Sequence, residues 1–337
     1  MMAPRFLVIK PSSFGDIIHL FPALDLLKKH FPDGVLDFVV NPEFVPLLEF
    51  SPFPVERVII FERRKLGEIS SFFSTFSALR RELRREKYDA VLDFQGLFRS
   101  GICARMARSC CRAGFAHPRE AGAALFYNRK VALPPLHAVE RCVRLVEGVF
   151  SLEKSEKIEY PELPVSETGR AELPELPERY MVLLPGTRWE SKQFPPALFA
   201  SVIREIRKRY PGMGFVIAGG KAEKALGEVI DPQALNLAGS TSLPALFELL
   251  RGASAVVGND SGPLHAAAAL RRPVFGFYGP TEPELTGPWG ENSVPLRKDL
   301  KCSGCLKRIC PLPRTRCHDL DVNVVVENIC RKLQEER

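Results

Sequence analysis

Residues 5–10, Arg5-Phe6-Leu7-Val8-Ile9-Lys10, run directly into Pro11-Ser12-Ser13-Phe14-Gly15-Asp16. The first stretch has the length and apolar content of a strand. The second is a turn of Pro, Gly and small polar residues. Beyond it Ile17, Ile18, Leu20, Phe21, Leu24 and Leu27 recur every three to four residues, the period of a helix with one buried face. The same order continues outward. Val35–Val40 reads as a second strand, Arg57–Phe61 as a third and Ala90–Phe94 as a fourth, the last followed by Gln95-Gly96 and a further helix. Leu66–Lys87 has helical periodicity and a polar face carrying RRELRREK. In the second half Tyr180–Leu184, Gly214–Ala218, Ala234–Ala238, Ala255–Gly258 and Pro273–Tyr278 read as strands with helices between them. Strands alternating with helices predict parallel sheets with crossover helices, hence doubly wound α/β domains.

The chain has 337 residues, room for about two domains. Residues 161–178, rich in Pro and Glu and without sustained apolar period, read as a linker. The expected organisation is a Rossmann-like domain over 1–160 and a second over 179–337, ending in a helix over Asp321–Glu335. Two such halves suggest a cleft, with ligands at the carboxyl ends of strands. Composition, at 45% apolar and 26% charged with mean hydropathy −0.04, excludes a disordered chain, a fibrous repeat and a multi-pass membrane protein. No apolar run approaches the roughly 20 residues of a membrane-spanning helix. Phe6–Ile9 is too brief for a signal-peptide core, which predicts a cytosolic protein.

The formal charge is +7. Residues 1–150 hold 22 Lys and Arg against 16 Asp and Glu, whereas 151–337 hold 25 against 24. The excess in the first half suits an anionic substrate or an anionic membrane face as well as a solvated surface. It lacks aromatic-interleaved basic motifs and a helix-turn-helix signal, so no nucleic-acid partner is expected.

Three loops carry candidate chemistry, each after a strand. In Lys10–Asp16, Ser12, Ser13 and Gly15 let backbone amides approach a ligand. Asp16 reads either as a carboxylate serving a helix start or as a general base. In Leu184–Pro195, Gly186, Thr187 and Lys192 could hold a phosphate, or form an ordinary surface loop; GxxxxGK[ST] is absent. Gly258-Asn259-Asp260-Ser261-Gly262-Pro263-Leu264-His265 opens an Ala-rich helix whose start suits a diphosphate; alternatively Asp260 or Ser261 caps it and His265 is merely packed. No GxGxxG follows a strand, which argues against a dinucleotide oxidoreductase.

The loops together resemble the ADP-heptose:lipopolysaccharide heptosyltransferases, inverting glycosyltransferases of GT-B fold with two facing Rossmann-like domains. KPSSFGDIIHLFPAL is similar to the family's N-terminal signature, GTRWESKQFP to its donor-side loop, and NDSGPLHAAAAL and YGPTEP to its C-terminal stretch. YDAVLDFQGLFRS is also similar to family sequences. Arg119-Glu120, Leu125-Phe126-Tyr127-Asn128-Arg129 and His137-Ala138-Val139-Glu140-Arg141 resemble the type I members, which add the first heptose to the Kdo region.

The resemblance implies Asp16 as the base. It implies donor contacts from Gly186, Thr187, Lys192, Glu223, Asp260, Ser261, Gly262 and His265. The family's Thr-Thr pair reads Gly186-Thr187 here, and Ser261 stands where Thr is frequent. The implied partners are ADP-heptose as a substrate, Kdo-bearing lipid A, and the cytoplasmic face of the inner membrane as a peripheral contact. Ser12, Ser13, Gly15, Arg63, Arg64, Lys65 and Arg119 are the candidates on the acceptor side. RRELRREK is expected to be a salt-bridged surface or a contact with anionic lipid heads, outside the site. With no DxD-type acidic pair, no catalytic metal is expected.

Cys302-x2-Cys305-x4-Cys310-x6-Cys317, with His318 beside it, resembles instead the tail of type II members, which act on an acceptor already bearing one heptose. Four such thiols could bind a structural zinc, but the second pair is not spaced like a zinc ribbon. Free thiols in a packed loop are preferred over zinc or a disulfide. The rival functions are type II transfer, a nucleotide-sugar epimerase of similar fold, which lacks sequence support, and a non-catalytic nucleotide-sugar-binding protein.

Overall fold

The computed structural model describes residues 3–312 and 315–335. The chain divides into two compact units, Met1–Pro164 and Val165–Arg337. The first is built on six strands: β1 Arg5–Ile9, β2 Val35–Val40, β3 Val55–Ile60, β4 Ala90–Asp93, β5 Arg112–Phe115 and β6 Arg129–Val131. They lie in the order β3-β2-β1-β4-β5-β6, all parallel. β1 is central: Val8 is in register with Phe38 on one side and Leu92 on the other. Both faces are covered, which is why β1 reads as an unbroken apolar run and not as an alternation. Leu7, Ile9, Val39 and Val91 pack on one face with Leu79, Leu83, Cys103 and Ala104 from helices. On the other, Phe6 meets the rings of Phe31 and Phe150.

The second unit repeats the design with β7 Tyr180–Leu184, β8 Gly214–Ile217, β9 Leu235–Asn236, β10 Ala255–Asn259, β11 Val274–Tyr278 and β12 Ser293–Arg297, in the order β9-β8-β7-β10-β11-β12. Met181, Leu183, Val257, Phe275 and Phe277 form its core with Phe199, Val202 and Ile206 of the Pro196–Arg209 helix. Val325, Val326 and Ile329 of the terminal helix, Val322–Glu335, join the same cluster.

Three strands departed from expectation. β5 and β6 are short, β6 and β12 are edge strands, and all three carry Arg, Lys, Gly or Pro, so neither hydropathy nor period marks them. Gly114 in β5 is required because the Tyr127 ring occupies the place of a side chain there. The stretch expected as a linker over 161–178 also differs. Its Glu167–Ala171 helix packs on the second unit, where Ser166 N donates to Glu248 Oε1 at 3.1 Å and Gly169 lies against Pro244.

In each sheet the strand order reverses beside the central strand, between β1 and β4 and between β7 and β10. Loops leaving the carboxyl ends of such a pair diverge, and the crevice between them is where open α/β sheets bind ligands. The loops at these two points are residues 10–16 with 94–97, and 185–195 with 260–262.

Candidate active site

In the first unit Lys10 ends β1 and is buried, its Nζ donating to the Phe94 carbonyl at 3.1 Å and standing 3.6 Å from Asp16 Oδ1. Asp16 lies in the first turn of the Phe14–Ile18 helix. Its Oδ2 accepts from Ser13 N at 3.0 Å and Ser13 Oγ at 2.7 Å, and its side chain remains 42% exposed. The helix-start role is therefore realised, and it leaves the carboxylate partly exposed. Burial alone would raise the Asp16 carboxyl; the Lys10 ammonium, the two Ser13 hydrogen bonds and the charge of His19 outweigh it and hold the group well below the ordinary carboxylate range. Asp16 is thus an oriented carboxylate, ionised at neutral pH.

The β4 loop is shaped by Asp93, a fully buried carboxylate that accepts from Gln95 N, Gly96 N and the Tyr127 hydroxyl. Gln95 Oε1 in turn accepts from Ser12 N at 3.3 Å, tying this loop to the first. Gly96 needs its left-handed backbone, φ 65°, and lies against Pro118 and Arg119 N. Half-buried Arg99 joins this edge: burial and then the charge of Arg63 lower its guanidinium, Glu120 opposes, and Arg119 adds to the shift. Arg63, Glu120 and Arg119 thus lie close enough to Arg99 for their charges to act on it. Lys65 is tied to Glu62 at 3.0 Å, whereas Arg64 is exposed.

In the second unit Asp260, buried at the end of β10, is the centre. Its Oδ2 accepts from Lys192 Nζ and from Thr281 Oγ1, each at 2.6 Å, and its carbonyl accepts from Thr187 Oγ1 at 3.2 Å. His265 Nε2 stands 3.9 Å from Asp260 Oδ1. Lys192 Nζ also lies 4.6 Å from the Trp189 ring centre. Ser261 precedes the Gly262–Ala269 helix but makes no side-chain cap, and its buried Oγ has no hydrogen-bond partner. This helix start, unlike a capped one, keeps its dipole and a hydroxyl for an anion. Glu223 folds over glycines: its carboxyl carbon is 2.7 Å from where a Gly186 Cβ would stand, and Oε2 is 3.0 Å from that of Gly220.

The first unit thus holds an oriented carboxylate at its switch point, and the second holds a cationic side chain and an uncapped helix start at its own. Residues 76–315 match the model of glycosyltransferase family 9 (heptosyltransferase). Lipopolysaccharide heptosyltransferase 1 of Pseudomonas aeruginosa is 32% identical over 91% of this chain and 87% of its own. The chain belongs to glycosyltransferase family 9. The Escherichia coli K12 heptosyltransferase 1 is 30% identical over 96% of this chain and 99% of its own. The solved E. coli heptosyltransferase WaaC with ADP superposes at TM-score 0.80, with 28% identity, covering 97% of this chain and 99% of that one. Relatives named heptosyltransferase 2 and 3 are also similar, at 26% and 28% identity. The protein is thus a glycosyltransferase of GT-B fold whose relatives act in lipopolysaccharide biosynthesis. No helix among its described residues is long and apolar enough to cross a membrane.

The sequence-derived candidates divide by what the structure does with them. Thr187, Lys192, Asp260 and His265 come together, with Ser261 and Gly262 following Asp260 at the helix start. Gly186 and Glu223 touch. Asp260, a carboxylate, repels phosphate; in this geometry it holds Lys192 and Thr281 in place. Ser13 spends both donors on Asp16, Ser12 N is taken by Gln95, and the Gly15 carbonyl accepts from His19 N within its helix turn. Lys10, Gln95, Arg99 and Thr281 were not singled out from the sequence. Lys10 had a signal in a charge closing an apolar strand run, and Gln95, Arg99 and Thr281 lie within the family-like stretches YDAVLDFQGLFRS and YGPTEP.

The cysteine-bearing loop packs beside the donor-side loop. Ser191 N donates to the Arg308 carbonyl, Ser191 Oγ to that of Lys307, and His318 Nε2 to the Ser191 carbonyl at 2.8 Å. Cys317 Sγ lies 2.6 Å from where a Gly279 side chain would begin. Cys302, Cys305, Cys310 and Cys317 are free thiols, and among the described residues no three His, Cys, Asp or Glu side chains are placed to share a metal. Burial raises the Cys317 thiol, with Cys310, Cys302 and Cys305 adding to it.

Two expected results follow from this geometry. Gly186→Ala places a methyl against the mobile end of Glu223, so the fold persists and the carboxylate is displaced. ADP affinity should fall roughly tenfold, the loss of one hydrogen bond to a charged group, with little change in melting temperature; calorimetric titration checks it. Lys10→Met removes the ammonium that depresses Asp16. In the wild type Asp16 protonates only well below the ordinary carboxylate range, so activity near neutral pH should not depend on its titration. In the variant only the Ser13 hydrogen bonds and the charge of His19 still oppose burial, and the acid limb of kcat/KM should move upward.

Proposed function

We propose that this enzyme transfers L-glycero-D-manno-heptose from ADP-heptose to Kdo of the lipid A-linked inner core, by a single inverting displacement with Asp16 as base. The observation that carries this reading is the Asp16 carboxylate, fixed by Ser13 and kept ionised by Lys10 at the carboxyl end of β1. It takes the proton of the acceptor hydroxyl as that oxygen bonds to the anomeric carbon. The bond from that carbon to the diphosphate oxygen breaks, and its electron pair leaves with ADP. Lys192 and the uncapped start of the Gly262–Ala269 helix neutralise the departing charge. Glu223 accepts from a ribose hydroxyl. These groups supply the positive charge a metal would bring, so the reaction is proposed to need none. The relative solved with ADP supports the donor. Arg63, Arg64, Lys65, Arg119 and, added by the structure, Arg99 hold the acceptor's carboxylates and phosphates. The place of work is the cytoplasmic face of the inner membrane, as a peripheral protein.

Transfer onto the first heptose is the second reading, favoured by the type II-like loop around Cys302–Cys317. Incubation with ADP-heptose and either Kdo2-lipid A or the same acceptor bearing one heptose, with and without EDTA, separates the two. A mass gain of one heptose on Kdo2-lipid A, unaffected by EDTA, is expected. A product only on the heptosylated acceptor would favour the second reading, and binding of ADP-heptose without any product would favour a non-catalytic role.

A further inference from the structure

The Ile69–Arg84 helix buries Leu79 and Leu83 and carries an unusual outer face. Residues 69, 73, 77, 80 and 84 follow one another at helical spacing, so Ile69, Phe73, Ser77, Arg80 and Arg84 form one stripe. Ile69 is 93% exposed and Phe73 79% exposed, and Phe73 meets Phe72 edge to face. Arg80, Arg81, Arg84 and Arg85 are all exposed, and none makes an ion pair among the described residues. The neighbouring acids do not neutralise them. Glu82 Oε2 bonds Arg57 at 3.1 Å and Glu86 lies 4.0 Å from the same guanidinium, so both are turned to Arg57. The salt-bridged surface considered for RRELRREK is therefore not what this helix presents.

We propose that this helix face docks on an anionic phospholipid bilayer, lying in the interface with Ile69 and Phe73 inserted and the four arginines on headgroup phosphates. The chemistry selects a bilayer. The arginines alone would suit any polyanion, but a nucleic acid would leave Ile69 and Phe73 in water. A bilayer interface offers apolar depth and negative charge along one line. The helix begins just beyond Arg63, Arg64 and Lys65, so docking would bring the acceptor-side arginines to the lipid surface. In this respect the inference rests on the lipid-borne acceptor proposed above.

Flotation of the full chain with vesicles of phosphatidylethanolamine and phosphatidylglycerol, against phosphatidylcholine alone, tests it. The wild type should float with the anionic vesicles and be released as salt rises. Arg80→Gln with Arg84→Gln should weaken partitioning about fivefold per arginine, and Ile69→Ser with Phe73→Ser should reduce it at any salt. All variants should transfer heptose to an acyl-free Kdo acceptor at the wild-type rate. Absence of flotation, or flotation unchanged in both variants, would overturn the proposal. So would a wild-type dimer by light scattering that the serine variant converts to monomer, since the face would then join two copies. Flotation without transfer to the acyl-free acceptor in any form would leave the docking surface standing and remove the assigned reaction.

Discussion

The Asp16→Asn enzyme is expected to bind ADP as tightly as the wild type and to transfer heptose about 10²–10⁴-fold more slowly, the range of a lost general base. The substitution isolates charge from position. An amide oxygen still accepts from Ser13 N and Ser13 Oγ, so the first turn of the Phe14–Ile18 helix keeps its hydrogen bonds. What disappears is the negative charge and the ability to take a proton. The donor groups lie in the other unit of the chain, on Thr187, Lys192, Asp260 and the helix that follows, and are untouched. Single-turnover transfer with ADP binding measured in parallel checks the split. Equal transfer rates would remove Asp16 as the base; a parallel loss of ADP binding would show a structural defect.

The second large effect is expected at Asp260. Asp260→Ala leaves the Lys192 ammonium without its carboxylate, and Thr281 without its acceptor, in a buried setting. Breaking one partner of such a pair costs about 3–5 kcal/mol, and for a unit of this size roughly a 10 °C drop in melting temperature. ADP affinity should fall as well, because Lys192 is no longer aimed. Asp260→Ala combined with Lys192→Met should recover most of the stability, since neither charge is then stranded, and recover none of the affinity. Recovery of both would mean that Lys192 makes no contact with the diphosphate. Calorimetry on the two variants separates these outcomes.

The centre of the fold was legible because burial on both faces writes itself into β1, β2, β7 and β10 as apolar runs. Arg57–Phe61, Gly214–Ala218 and Pro273–Tyr278 beside them were legible too, whereas β5, β6 and β12 were not. β5 carries Gly114 because Tyr127 needs its place, and β12 includes Pro295 on the sheet edge, so neither has a strand's composition. The candidate site divides in the same way. Gly-, Ser- and Thr-bearing loops after strands marked Asp16, Gly186, Thr187, Lys192 and Asp260. Lys10, Gln95, Arg99 and Thr281 enter through topology, which sets loops distant in sequence side by side, as when Gln95 reaches Ser12. The outer face of the Ile69–Arg84 helix is a mixed case. Its arginines were plain in sequence; that Glu82 and Glu86 face Arg57 was visible only in three dimensions.

The most direct measurement is the anomeric configuration of the transferred heptose, read by NMR on product made from ADP-heptose and Kdo2-lipid A. One heptose on Kdo with the donor's anomeric centre inverted is the expected result, because a single displacement with Asp16 as base allows no other. Retained configuration would require a covalent or front-face route that this site does not describe, and would contradict the mechanism at its first step.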